Sequence, residues 1–190
     1  MKIVVKNKDK FYKMLYFYKS AIFKLIKFET TEDDEELNSI VTALNIKSRK
    51  KRITYIYDYA CKKIDKFYEG KNICGFKENK CLNQQAPNCK LQNGCCRLCP
   101  YQSEKGCPTS NLSCKLFYCG TITNKNKTIK FSDLKILKLF SLRQRIIVLD
   151  SFFSTREQIL FDLYVGSIFI YAFRLVLRSF LNFVKLRKSQ

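Results

Sequence analysis

Histidine is absent from all 190 residues. That absence removes the commonest general base at neutral pH and the commonest nitrogen ligand for metals, so Ser-His-Asp and Cys-His catalysis and mixed Cys/His zinc sites are excluded. Long apolar runs are scarce as well. Lys2, Lys6, Lys8, Lys10, Lys13, Lys19, Lys24 and Lys27 break up the start of the chain before any stretch there can act as a signal-peptide core. Export by that route is not expected, and a cytoplasmic protein is. No internal repeat of fixed period is present. Glycine and proline are nearly confined to one segment: all three prolines (Pro87, Pro100, Pro108) and five of the six glycines (Gly70, Gly75, Gly94, Gly106, Gly120) fall between residues 70 and 120.

That segment also holds nine of the ten cysteines, Cys74, Cys81, Cys89, Cys95, Cys96, Cys99, Cys107, Cys114 and Cys119. Its other residues are mostly Lys, Asn, Gln, Gly, Ser and Pro, too polar to form a hydrophobic core unaided. Covalent or coordinate bonds must hold it, and loops and tight turns should dominate. Without an export signal, metal thiolates are favoured over disulfides, because the cytosol keeps thiols reduced. The most informative spacing is Cys96-x2-Cys99 followed by Cys114-x4-Cys119. Two short thiolate pairs joined by a loop suit a tetrahedral ion with metal–sulfur distances of about 2.3 Å. Cys74, Cys81 and Cys89, with either Cys95 or Cys107, form a less regular second set. Zinc is the first choice, since closed four-thiolate sites are structural and need no redox machinery. An iron–sulfur cluster remains open, because Cys99-Pro100 and Cys107-Pro108 place proline after a cysteine as some cluster ligands do. Disulfides, or a redox dithiol at Cys96-x2-Cys99, are further alternatives. Around such a site Lys90, Arg97, Lys105 and Lys115 would offset thiolate charge or touch phosphate. Cys61 stands apart beside an apolar stripe and is expected to be a small core side chain.

The formal net charge is +20. Residues 31–69 balance to zero while every other stretch is positive, so the basicity is spread over the chain. Such a field favours nucleic acid, an acidic protein or an anionic membrane surface as partner, and is equally compatible with an ordinary solvated surface.

Outside the cysteine segment the apolar residues recur at helical spacing. Phe11, Leu15, Tyr18, Ile22 and Leu25 predict a helix from about Asp9 to Phe28, after a short β-branched piece at Ile3 to Val5. Thr31 and Asp34 mark the start of a second helix with the stripe Leu37, Ile40, Val41 and Leu44, and Glu32 to Glu36 lie where the positive helix end favours carboxylates. The basic run Arg49 to Arg52 leads into a third stripe, Ile53, Ile56, Ala60, Ile64 and Phe67, which Gly70 closes. Later, Ser132-Asp133 predicts a helix through Phe140. Ser141 with Gln144 and Ser154 with Glu157 form capping boxes for two more, the last running from Thr155 nearly to Lys185.

The stretches Leu142-Arg143-Gln144-Arg145-Ile146-Ile147-Val148-Leu149 and Phe153-Ser154-Thr155-Arg156-Glu157-Gln158-Ile159-Leu160 resemble the first two helices of the region 4 helix-turn-helix in bacterial sigma factors. The resemblance implies a DNA-binding regulator whose third helix, after Gly166-Ser167, enters the major groove. The chain departs from that pattern at Ile168 to Phe173, which offer no base-reading groups and leave Arg174 and Arg178 for phosphate. Asn93-Gly94-Cys95-Cys96 and Leu112 to Cys119 resemble cysteine-rich small bacterial proteins, a likeness that implies no activity. Residues 163–173 are eleven uncharged positions, short of the roughly 20 a membrane-spanning helix needs. The region 159–188 is either a core helix that partners the first three or an interfacial helix on a membrane surface, with Lys185, Arg187 and Lys188 at headgroups.

The expected protein is therefore mainly α, with N-terminal helices (1–69) and C-terminal helices (121–190) packed together around a loop-rich metal-binding module (70–120). Its expected role is non-enzymatic: a zinc-binding module with a basic surface for nucleic acid or protein. The helix-turn-helix regulator, the membrane-surface protein and the iron–sulfur redox protein are the alternatives.

Overall fold

A computed structural model describes residues 2–19, 26–71, 76–77, 80–81 and 110–165, together with Phe169, Ala172, Phe173, Val176, Leu177, Phe180 and Val184, all of them helical. The described chain is mainly helical. It opens with strand β1 (Lys2–Val5), helix α1 (Lys8–Tyr18) and strand β2 (Lys27–Thr30). The two strands pair in parallel, from Lys2 opposite Lys27 to Val5 opposite Thr30, with α1 in the crossover. The single helix expected from Asp9 to Phe28 therefore ends ten residues early, and Phe28 sits in β2. It is 1 % exposed and packs edge-on against the Tyr18 ring at 5.4 Å. Helical periodicity did not reveal this pairing because the partner strand lies more than twenty residues away. Ile22 and Leu25 of the expected stripe lie outside the described residues.

Helix α2 (Glu35–Asn45) and helix α3 (Arg49–Tyr68) follow the expected stripes. Leu37, Ile40, Val41, Leu44, Ile53, Ile56, Ala60 and Ile64 are all buried in one cluster. The N-cap of α2 is Asp34 itself, whose Oδ1 accepts from the Leu37 N–H at 2.7 Å. Its carboxyl pKa is held low, first by the Lys8 ammonium and then by that amide. Gly70 ends α3 in the left-handed region at φ 71°, where a residue without Cβ is favoured. Short strands β3 (Phe76–Lys77) and β4 (Lys80–Cys81) pair antiparallel.

The chain returns through Ser110 into helix α4 (Leu112–Leu116) and helix α5 (Gly120–Lys125). The polar segment thus gives way to helix before its last two cysteines. Leu112 is fully buried, and Tyr57 fastens this return point to the middle of α3. Its hydroxyl donates to the Ser110 carbonyl at 3.0 Å and accepts from the Leu112 N–H at 2.9 Å. Asn111, also fully buried, donates to the carbonyls of Ser151 (2.7 Å) and Ser154 (2.8 Å) while accepting from the Cys114 N–H (3.0 Å).

The helix expected from Ser132 to Phe140 is instead two 3-10 turns, Phe131–Asp133 and Lys135–Leu139. Leu134, Leu137 and Phe140 lie three apart, and the tighter turn aligns such residues on one face. All three are buried among the N-terminal helices, and Glu36 on α2 accepts from the Ile136 N–H at 3.3 Å. Helix α6 (Leu142–Asp150) carries the expected Ser141/Gln144 box. Helix α7 (Arg156–Val165) starts from a box one residue later than expected: Thr155 Oγ1 accepts from Gln158 N–H at 3.3 Å, and Gln158 Oε1 from Thr155 N–H at 3.1 Å. The shift follows from Asn111 holding the Ser154 carbonyl and from Phe153 taking a left-handed turn at φ 60°.

The two helical groups share one core, with Leu112, Leu134, Ile136, Leu137, Phe140, Ile147, Val148, Ile159 and Leu163 joining the residues of α2 and α3. A bidentate ion pair joins Arg156 on α7 to Asp58 on α3 at 2.6 and 2.7 Å. The core-helix expectation for 159–188 holds for Ile159 and Leu163. Beyond them it fails at the described positions, since Phe169, Phe173, Val176, Leu177 and Phe180 are all exposed. Among the described residues no helix is long and apolar enough to cross a membrane.

Candidate anion-binding cleft

The first turn of α3 carries Arg49, Lys50, Lys51 and Arg52 and no acidic residue. A helix N-terminus bears a partial positive charge, so cations there destabilise by about 0.3–1 kcal/mol each. The first turn of α6 repeats the arrangement with Arg143, again without an acid. By contrast, α2 has Glu35 and Glu36 in its first turn, as the dipole favours. The two mismatched helix starts meet. Together with Tyr16 and Lys19 at the end of α1 they line a cleft of about 470 Å³, floored by Ile53, Ile56, Leu139, Phe140 and Leu142.

Local hydrogen bonds hold the walls. Lys19 Nζ donates to the carbonyls of Lys138 and Phe140, both at 3.2 Å, and so draws the end of α1 to the turn before α6. Gln144 closes its capping box with Ser141 and donates from Nε2 to the Leu163 carbonyl at 3.3 Å, which ties α6 to α7.

Four cations, Lys19, Arg49, Arg52 and Arg143, face this space, and no carboxylate among the described residues lines it. None of the ion pairs among the described residues takes Lys19, Arg49 or Arg143. Like charges therefore act on one another. Burial and then the Arg49 charge lower the pKa of Arg52; burial and then the Arg145 charge lower that of Lys19. The Nε of Arg143 is buried without a hydrogen-bond partner among the described residues. A cleft that gathers four cations beside apolar side chains is suited to an organic anion.

Most of the expected metal ligands lie outside the described residues. Cys96 and Cys99 of the first set, and Cys74, Cys89, Cys95 and Cys107 of the second, lie outside the described residues, as do Lys90, Arg97 and Lys105. Cys81 ends β4. Cys114 on α4 and Cys119 at the start of α5 are both half-buried. Among the described residues no three potential ligands converge. Lys115, expected beside the thiolates, pairs with Asp65 on α3. Cys61 is a buried core thiol whose Sγ lies 3.7 Å from the Ser110 carbonyl, and burial pushes its pKa up to about 12.

Of the residues that carry the sigma-factor resemblance, Gln144 is buried, Arg156 is bound to Asp58, and Arg145 donates to the Lys138 carbonyl at 2.9 Å. Sequence reasoning placed no part of this cleft in a site: it read Arg49 to Arg52 as a basic run at a helix, met Arg143 and Arg145 only within the sigma-factor resemblance, and missed Tyr16 and Lys19. The signal for the cleft was two helix starts with cations and no acids. Comparison with family models, with curated proteins and with solved structures gives no match.

Proposed function

We propose that the protein is a non-enzymatic binding module that grips nucleic-acid phosphates in the cleft between α1, α3 and α6. The observation that carries this reading is the meeting of two helix N-termini, both loaded with cations, around a space that no carboxylate among the described residues lines. Phosphate oxygens would accept from the guanidinium groups of Arg49, Arg52 and Arg143 and would neutralise the repulsion among them. The cysteine segment serves as a structural staple that holds zinc through Cys96, Cys99, Cys114 and Cys119. What supports it is the spacing of the two pairs and the polar composition between them. Binding to labelled nucleic acid across a salt series tests the main reading: several phosphate contacts predict a steep fall of affinity with salt, by about 0.7–0.9 in slope per contact. Salt-independent binding or none removes it. Metal analysis of anaerobically purified protein tests the staple; colourless zinc protein supports it, and brown protein with visible absorbance assigns an iron–sulfur cluster instead.

A second reading has its own observation. Phe169, Phe173, Val176 and Phe180 are between 61 and 83 % exposed at helical spacing, and Arg174, Arg178, Lys185, Arg187 and Lys188 accompany them in sequence. Such a face suits the boundary of an anionic membrane. Co-sedimentation with anionic but not neutral vesicles supports it, and loss of Phe169 and Phe173 without effect on sedimentation removes it.

A further inference from the structure

The cleft has a neighbour. Lys50, Ile53, Thr54, Glu157, Leu160, Phe161 and Tyr164 line a second, more apolar hollow of about 310 Å³ between α3 and α7. Ile53 belongs to both, so the two hollows flank the first turns of α3. Each contains an exposed tyrosine with a lysine ammonium against its ring: Tyr16, 80 % exposed, with Lys19 at 4.8 Å, and Tyr164, 44 % exposed, with Lys50 at 5.9 Å. Tyrosine at this exposure loses the hydrophobic gain of burial and is not needed by the core. Beside cations it is the pairing that single-stranded nucleic acids use, in which bases stack on aromatic faces while the backbone follows positive charge.

Duplex recognition fits less well. In a duplex the flat faces of the bases are stacked on one another, so a tyrosine ring can lie against them only after the bases are unstacked, at a cost in free energy. An unpaired strand exposes those faces. We infer that the protein selects single-stranded nucleic acid, which crosses the first turns of α3 with its phosphates on Arg49, Arg52 and Arg143 and with bases stacked on Tyr16 and Tyr164. This rests on the proposal that the cleft binds nucleic-acid phosphates. It adds the form of the strand and the residues that read it. Glu157 is the one carboxylate among the residues lining the second hollow; its side chain is 76 % exposed and shares the Arg156 guanidinium with Asp58, so the strand's phosphates are placed on the side of the first cleft.

The test is fluorescence anisotropy of the full chain with oligothymidylate and oligouridylate of about 12 nucleotides, and with a duplex of equal length, across a salt series. Single strands are expected to bind at least about tenfold more tightly than the duplex. Tyr16→Leu and Tyr164→Leu, which keep apolar bulk at exposed positions, are expected to weaken single-strand binding by about five- to a hundredfold each while leaving the salt slope unchanged. Arg52→Gln is expected to lower the slope by about 0.7. Salt-sensitive binding with equal or tighter affinity for duplex, and with tyrosine variants like wild type, overturns this inference and leaves the nucleic-acid reading standing. No binding of either form at low salt overturns both.

Discussion

Replacing Arg49 with glutamate is expected to make the protein more stable and a poorer binder at once. Arg49 is the first residue of α3 and is exposed, so its side chain contributes little to packing. Removing a cation from the positive end of a helix and placing an anion there changes the dipole interaction twice, by about 0.3–1 kcal/mol each time. Arg52 stands three residues on, and its repulsion from Arg49 becomes an attraction of about 0.2–0.5 kcal/mol. Exposure favours the low end of each range, for a sum near ~1 kcal/mol, or about 2–4 °C in melting temperature for a chain of this size. Urea and thermal unfolding at low ionic strength measure the gain, and Arg49→Gln should give about half of it. In about 1 M salt, where screening acts within roughly 3 Å, the gain should vanish. Anisotropy with oligothymidylate on the same preparations should show affinity lower by about tenfold or more. Stability unchanged or lowered at low salt would mean that α3 does not oppose its own first turn, and unchanged affinity would mean that the cleft is not where phosphate binds.

Further outcomes concern four residues outside the cleft. Asn111→Ala should cost about 3–4 kcal/mol in urea unfolding, since a helix cap and two buried carbonyl partners are lost together. Asn111→Asp places a carboxylate against the carbonyls of Ser151 and Ser154; its folded-state pKa must rise, so the deficit should shrink as pH falls, and a deficit that is constant with pH refutes the assignment. Tyr57→Phe should cost about 1–3 kcal/mol, because the Leu112 N–H and Ser110 carbonyl lose a buried partner, and a variant within experimental error of wild type would disprove that role. For Asp34 the folded pKa is depressed, so its pairing with Lys8 stabilises above the ordinary carboxyl value of 3.8 and is lost as pH falls through the folded value. Asp34→Asn, which keeps the cap, should therefore be less stable than wild type by about 0.5 kcal/mol near neutral pH and match it in acid, as chemical denaturation at a series of pH values would show. The buried Cys61 thiol, with its pKa pushed up to about 12, should resist iodoacetamide in the native state at about pH 8 and react on unfolding, as peptide mapping of the labelled site would establish.

Several features were legible in the residues alone because neighbours in sequence decide them. The stripes of α2 and α3, the Ser141/Gln144 box and the stop at Gly70 depend on side chains three or four positions apart, and they stand where the sequence places them. Tertiary structure decided whatever needed a distant partner. Phe28 falls within the helix that the stripe from Phe11 predicts, yet its strand pairs with Ile3 and its ring packs against Phe11 of α1. Leu134, Leu137 and Phe140 tighten into 3-10 turns because α1, α2 and α3 surround them. The cleft itself is of this kind: Lys19, Arg49 and Arg143 are ordinary surface cations in sequence. They become one site only because burial of the shared core carries the end of one helix and the starts of two others to the same place, a convergence that no local preference encodes.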